Sequence, residues 1–225
     1  IDSSYVKLSF SAPFLNQNAI ENITNASVQV LEEANPNPIV FTHVDKGLYR
    51  APAGFKGNSG KNYELSIIVD GVTYKSTSRL DSMFTVDPDL RSEFRAADGF
   101  IEEGYAITYF SIDNRSQPKY TWFQFGKNDT INEQEITFDN VNITTGQSVP
   151  FELPFFRPVS GDSVMLIFRS VDRNVYDYLN ALFVLRSAAP GPFQTPPANP
   201  PTNISNGAIG YFVCSDVVRV WKKLP

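Results

Sequence analysis

Apolar and polar positions alternate through residues 1–80. Lys7 and Ser9 separate Val6, Leu8 and Phe10, so one face of that stretch is set for burial. Ala26, Val28 and Val30 repeat the pattern, and Asn35-Pro36-Asn37-Pro38 breaks the chain before Ile39-Val40-Phe41. The clearest run is Tyr63, Leu65, Ile67 and Val69, then Asp70-Gly71, then Val72 and Tyr74. Asp-Gly accepts the positive φ angles of a type I′ turn, which predicts a β-hairpin. Short strands with turn residues every ten or so positions predict an immunoglobulin-like or transthyretin-like β-sandwich over 1–80.

Periodicity lapses over 81–99, where Asp87-Pro88-Asp89 and Ala96-Ala97-Asp98-Gly99 predict a connecting segment. A second β-rich domain is expected over 100–225. Residues 105–112 and 120–125 read as strands apolar on both faces, as in a sheet covered on both sides. Residues 135–138 and 163–169 continue it. One α-helix is predicted at about 173–187, because Val175, Tyr178, Leu179, Leu182 and Phe183 make a single apolar stripe. Ser170 or Asp172 can cap its start, and Pro190-Gly191-Pro192 stops it. The helix is expected to pack on the second domain's sheet. From Ala189 to Ser215 the chain is dense in Pro, Asn and Gly, and Ile209–Val220 reads as a closing strand. Long loops held in one shape are more often functional than merely connecting.

Composition narrows the chemistry. A chain of 225 residues with 18 Phe and 10 Tyr has ample material for a core. Its net charge of −5 offers no basic stripe for nucleic acid. Cys214 is the only cysteine, which excludes an internal disulfide and a multi-cysteine zinc site. His43 is the only histidine and no G-x-S-x-G elbow exists, so a Ser-His-Asp triad lacks its parts. Gly54–Lys61 fails the phosphate-loop spacing at Phe55 and Asn62. Glu32-Glu33 and Glu102-Glu103 are adjacent carboxylates that diverge on an extended chain. The oxygen-rich segment 127–135 lacks the residue order of a calcium loop. No catalytic, cofactor-binding or metal-ligating residue is assigned, and no cofactor is expected.

Three sets of residues remain as candidates. Tyr120 and Trp122 share one strand face and, if exposed, form a platform for a flat ligand or a sugar. Phe151, Phe155 and Phe156, set between prolines, either plug a core or mark an interface patch. The third is the Pro-rich loop, whose Phe193, Pro196, Pro197, Asn199, Pro201, Asn203 and Ile204 make a candidate protein interface.

The run from Pro192 to Phe212 resembles the C-terminal signature of a family of Bacteroidota lipoproteins, domain of unknown function 4249. Ser9–Phe14, Asn25–Val28, and Gly47-Leu48-Tyr49 followed by Gly57, Gly60 and Tyr63 resemble its first half; Gly161–Val164 and Tyr176, Tyr178 and Leu179 resemble its middle. The resemblance implies a lipid-anchored outer-membrane protein facing the cell exterior, beside a TonB-dependent transporter of the SusC type. It implies no catalytic residues. The chain begins at Ile1, so the lipid-bearing cysteine is expected on a segment not included here, and a processed signal peptide is expected with it. Asp-Ser/Thr triplets glycosylated in exported proteins of such bacteria point to Thr130 and Ser82. The leading expectation is a non-catalytic accessory subunit of an outer-membrane β-barrel complex. The alternative is a module that captures a nutrient, glycan or metal chelate, and the third is a hydrolase.

Overall fold

A computed structural model describes residues 4–11, 20–114, 119–132, 136–140, 144–187 and 199–225. The fold is mainly β, with a single helix among the described residues. The chain divides into two compact units, one from Ile1–Asp81 and Pro192–Cys214, the other from Ser82–Gly191 and Ser215–Pro225.

Among its described residues the first unit holds six antiparallel strands: β1 (Tyr5–Lys7), β2 (Ser27–Glu32), β3 (Ile39–Asp45), β4 (Leu48–Arg50), β5 (Asn62–Val69) and β6 (Val72–Arg79). They form one sheet in the order β1-β4-β3-β2-β5-β6. The alternation read from the sequence sets its inner face, where Val28, Val30, Phe41, Tyr63, Leu65, Ile67 and Val69 make a buried cluster. Asp70 and Gly71 both have positive φ, 48° and 79°, so the β5–β6 hairpin turns as its Asp-Gly predicts.

Two tyrosines fasten the loops around that cluster. The Tyr49 hydroxyl accepts the Ala26 N–H at 2.8 Å and donates to the Ile23 carbonyl at 3.1 Å. The Tyr63 hydroxyl accepts the Asn58 N–H at 2.6 Å and donates to Glu32 at 3.1 Å, and burial pushes this phenol up from its ordinary pKa. Gly57 lies against it: a Cβ there would stand 3.2 Å from that hydroxyl and 2.7 Å from Leu80.

The second unit is a two-layer sandwich. One sheet holds β7 (Thr85–Val86), β8 (Arg91–Arg95), β9 (Gly104–Ile112) and β13 (Ser148–Glu152), with β13 on one side of β9 and β7 and β8 on the other. The second sheet holds β10 (Tyr120–Lys127), β11 (Thr130–Ile131), β12 (Ile136–Asp139), β14 (Ser163–Val171) and β15 (Val217–Lys223), with β10-β14-β15 as its spine. Tyr109 of β9 meets Phe123 of β10 at 5.9 Å and Phe168 of β14 at 4.9 Å, ring centre to ring centre, so the sheets interlock through aromatics. The helix α1 (Arg173–Ser187) packs on β10 and β12, which explains why β10 is apolar on both faces. Asp172 caps it by accepting the Val175 N–H at 3.0 Å, and Val175, Tyr178 and Leu179 are buried beneath it. No described helix is long and apolar enough to cross a membrane.

The segment expected to be a linker, 81–99, contributes strands instead. β7 and β8 are built from it and pair with β9. β7 is only two residues long and β8 is mostly charged, so neither shows a run of apolar alternation, and pairing with β9 makes them strands. The other correction concerns 199–214, assigned by sequence to the second domain. It belongs to the first unit, and the closing strand is Val217–Lys223 rather than Ile209–Val220.

Asp162 holds the loop before β14 in place. Its carboxylate accepts the Val159 N–H at 2.9 Å and the Asn128 amide, and lies 3.4 Å from the Lys127 ammonium. Its own carbonyl accepts the Leu224 N–H at 2.9 Å. The bond from Val159, then those from Asn128 and Lys127, hold the carboxyl below its ordinary pKa. A depressed carboxylate contributes stability that is present above its unfolded pKa of about 3.9 and is lost as pH falls through the folded value. Asp162→Asn is therefore expected to lower the melting temperature at neutral pH and to flatten the fall in stability below about pH 4. Thermal melts of both proteins between about pH 7 and pH 3 check this.

Candidate interaction surface

The described part of the loop expected to form an interface, 199–214, turns polar groups of Asn203, Ser205 and Asn206 onto its own unit. The Asn203 side-chain amide donates to the Phe212 carbonyl at 2.8 Å and accepts the Phe212 N–H at 2.9 Å. Its backbone carbonyl accepts the Ser76 hydroxyl at 2.7 Å. Ser205 exchanges two bonds with the Lys75 backbone, at 2.7 and 2.8 Å, and the Asn206 amide donates to the Thr73 carbonyl. Ile204 bridges to Ser76. The loop thus covers the outer edge of β6, which would otherwise offer free backbone to another chain. Phe212 turns into the core of the first unit, and the Cys214 N–H donates to the Ser78 hydroxyl at 3.0 Å. Asn203 and Ile204 are therefore anchors, whereas Asn199 and Pro201 are exposed. Phe193, Pro196 and Pro197 lie outside the described residues.

The aromatic pair on β10 is half-buried, and protein already occupies its ring faces. Tyr120 packs on Tyr176 of α1 at 4.6 Å, with the Arg173 guanidinium 5.6 Å from its centre. Arg169 lies 4.9 Å from the Trp122 ring. A flat ligand would have to displace these partners. Thr130 is exposed at the end of a two-residue turn in which Asn128 and Asp129 have φ of 50° and 65°. This turn occupies the start of the oxygen-rich segment. Ser82 is exposed as well.

Elsewhere the polar groups serve the scaffold. A groove of about 520 Å³ on the first unit is lined by Leu31, Glu32, Glu33, Pro36, Asn62 and Glu64, among others. Glu32 binds Asn58 and Tyr63, Glu33 binds Asn62, and Glu64 pairs with Lys75 at 2.8 Å. Among the described residues no three His, Cys, Asp or Glu side chains converge on a point that could hold a metal ion. Burial pushes the Tyr109 hydroxyl far up from its ordinary pKa.

What the second unit presents outward is aromatic. Asp98 and Ile101 exchange two backbone bonds at 3.0 Å, closing a two-residue turn of Gly99 and Phe100 between β8 and β9. Gly99 has φ of 58°, the left-handed value such a turn requires. Phe100 stands at its tip with an exposure of 107%, flanked by the exposed carboxylates Asp98, Glu102 and Glu103. Phe94 on β8, 58% exposed, lies edge-on to Tyr105. Phe155 is 78% exposed in the connection whose Arg157 and Pro158 carbonyls crowd Gly104. These contacts place the three rings at the end of the sheet where β9 begins. Glu152 of β13 ties that end together, reaching Arg95 of β8 at 3.0 Å and Arg157 at 3.3 Å. Of the proline-flanked set, Phe155 is exposed, Phe151 lies opposite the core residue Tyr109 with the two rings 5.4 Å apart and is half-buried, and Phe156 packs on Phe125 at 4.8 Å. Phe94 escaped sequence reading because 81–99 looked like a linker, and Phe100 because it stands at the first position of the expected second domain, ahead of the first strand read there. The available signal was an aromatic directly after Asp-Gly, where turns favour polar residues.

No curated protein and no solved structure matches the chain. The family model described as "Domain of unknown function (DUF4249)" matches residues 1–220. That match takes in the Tyr49, Tyr63, Asp162 and Asn203 fastenings of both units, and the chain accordingly belongs to the DUF4249 family.

Proposed function

We propose that this protein is a non-catalytic accessory subunit that docks on an outer-membrane β-barrel, a TonB-dependent transporter of the SusC type. In this reading an N-terminal lipid holds it at the outer membrane, facing the cell exterior. The observation that carries the docking role is the trio Phe94, Phe100 and Phe155, exposed at one end of the second unit. Exposed rings at one end of a braced scaffold are what an interface needs, because burying them on a partner supplies the binding energy. The barrel partner, the lipid and the location come from the lipoprotein resemblance of the sequence motifs.

The test is copurification of the full-length lipidated protein from native outer membranes, with the barrel identified by mass spectrometry. Phe100→Ser combined with Phe155→Ser is expected to reduce recovery of the barrel about 10-fold or more, as loss of a central aromatic anchor does. Both side chains are exposed, so the variant's folding stability should stay within about 0.5 kcal/mol of the parent. A protein that leaves the membrane alone, or a variant that retains the barrel fully, would overturn the proposal.

A further inference from the structure

The last strand offers a second place for a partner, of a different kind. β15 pairs with β14 on one side and ends its sheet on the other. The register fixes which backbone groups face outward. The Ser170 N–H donates to the Asp216 carbonyl at 3.0 Å, and the Leu224 N–H to the Asp162 carbonyl at 2.9 Å. Because hydrogen-bonded pairs recur every second residue, 218, 220 and 222 also point their backbone groups at β14. Those of Val217, Arg219, Trp221 and Lys223 therefore point away from the sheet.

Three features distinguish this edge. Unlike β6, whose edge the Asn203–Asn206 loop covers, β15 shows no described segment bonded along its outer side. Trp221 stands on the sheet's surface with 72% of its area exposed. The strand carries Arg219, Lys222 and Lys223 and no acidic residue; Lys222 is paired with Asp89 at 3.4 Å, while Arg219 and Lys223 are exposed on the same face as Trp221, in a chain of net charge −5. Lys223 donates to the carbonyl of Gly161, a neutral partner, and among the described residues no carboxylate pairs with it.

Basic residues on an edge strand disfavour pairing with a copy of themselves. An antiparallel β15–β15 pair centred on Trp221 would set Arg219 opposite Lys223, and one centred on Arg219 would set two arginines face to face. Like charges directly opposite destabilise a sheet. An extended acidic strand meets neither obstacle. We propose that β15 accepts an extended, acidic segment of another protein as an added antiparallel strand, with main-chain bonds to residues 217–223 and an apolar side chain laid on Trp221. This does not depend on the barrel-docking role, which rests on the opposite kind of surface.

The full chain would be titrated with a seven-residue synthetic peptide of alternating glutamate and valine, and with its lysine-for-glutamate counterpart. A third peptide has its edge-facing amides N-methylated. The acidic peptide is expected to bind at least about 10-fold tighter than either control. It should also slow hydrogen exchange at the amides of Trp221 and Lys223. Arg219→Glu with Lys223→Glu alters only exposed side chains and should invert the preference between the two charged peptides. Equal binding of the N-methylated peptide would mean charge attraction without a strand and overturn the proposal. So would unchanged exchange at Trp221 and Lys223, absence of binding at about 1 mM, or a self-associated dimer in place of a peptide complex.

Discussion

Gly47→Ala is expected to destabilise the first unit by about 3 kcal/mol or more, from two costs that add. Gly47 has φ of 72°, a left-handed conformation that costs an L-residue about 1–2 kcal/mol. The larger cost is steric, because a Cβ there would stand 2.2 Å from the Leu8 carbonyl oxygen. That oxygen cannot retreat freely: it accepts the Ile23 N–H at 3.2 Å, while the Leu8 N–H donates to the Gly47 carbonyl at 2.8 Å. Moving Leu8 breaks both bonds and pulls on β1, which among the described strands pairs with β4 alone. Chemical denaturation followed separately for the two units should show the loss in the first alone. Hydrogen exchange should speed up at Leu8 and Ile23 before anywhere else.

Phe212→Ala is expected to cost the first unit about 3–5 kcal/mol, the usual range for removing a core phenyl ring. The ring reaches the cluster of Val28, Tyr63 and Leu65 although it lies far along the chain from those residues. Asn203→Ala should cost about 2–4 kcal/mol, since it strips partners from both backbone groups of a buried residue. The two substitutions act on one anchor, so their combined effect should fall short of the sum by more than about 0.5 kcal/mol. Strict additivity in the double-mutant cycle would show that loop and plug are independent.

The parts of this fold that could be read from sequence were those with local rules. The Asp70-Gly71 hairpin needed only two residues that tolerate positive φ, and α1 needed only its stripe and the Asp172 cap. The two-sided apolar character of β10 announced a covering helix. Tertiary choices were invisible. Tyr211-Phe212-Val213-Cys214 has the composition of a strand, but its backbone is irregular and tied through Asn203 and Ser78, as local patterning cannot tell. β8 became a strand because β9 was beside it. The candidate surfaces fared alike: Asn203 and Ile204, which looked available, were engaged in the fold, and Phe94 sat in a stretch read as a connector, with Phe100 just past its end.

The first unit is assembled from Ile1–Asp81 and Pro192–Cys214, with the bulk of the second unit translated between them. On an emerging polypeptide, β1 to β6 are therefore all synthesised well before Phe212 can fill their core and Asn203 can cover β6. Contacts of such long sequence separation slow folding and leave the early hydrophobic sheet uncovered meanwhile. A holdase chaperone, or the unfolded passage of a secretory channel, would suit a protein whose opening and closing segments must meet before either is finished.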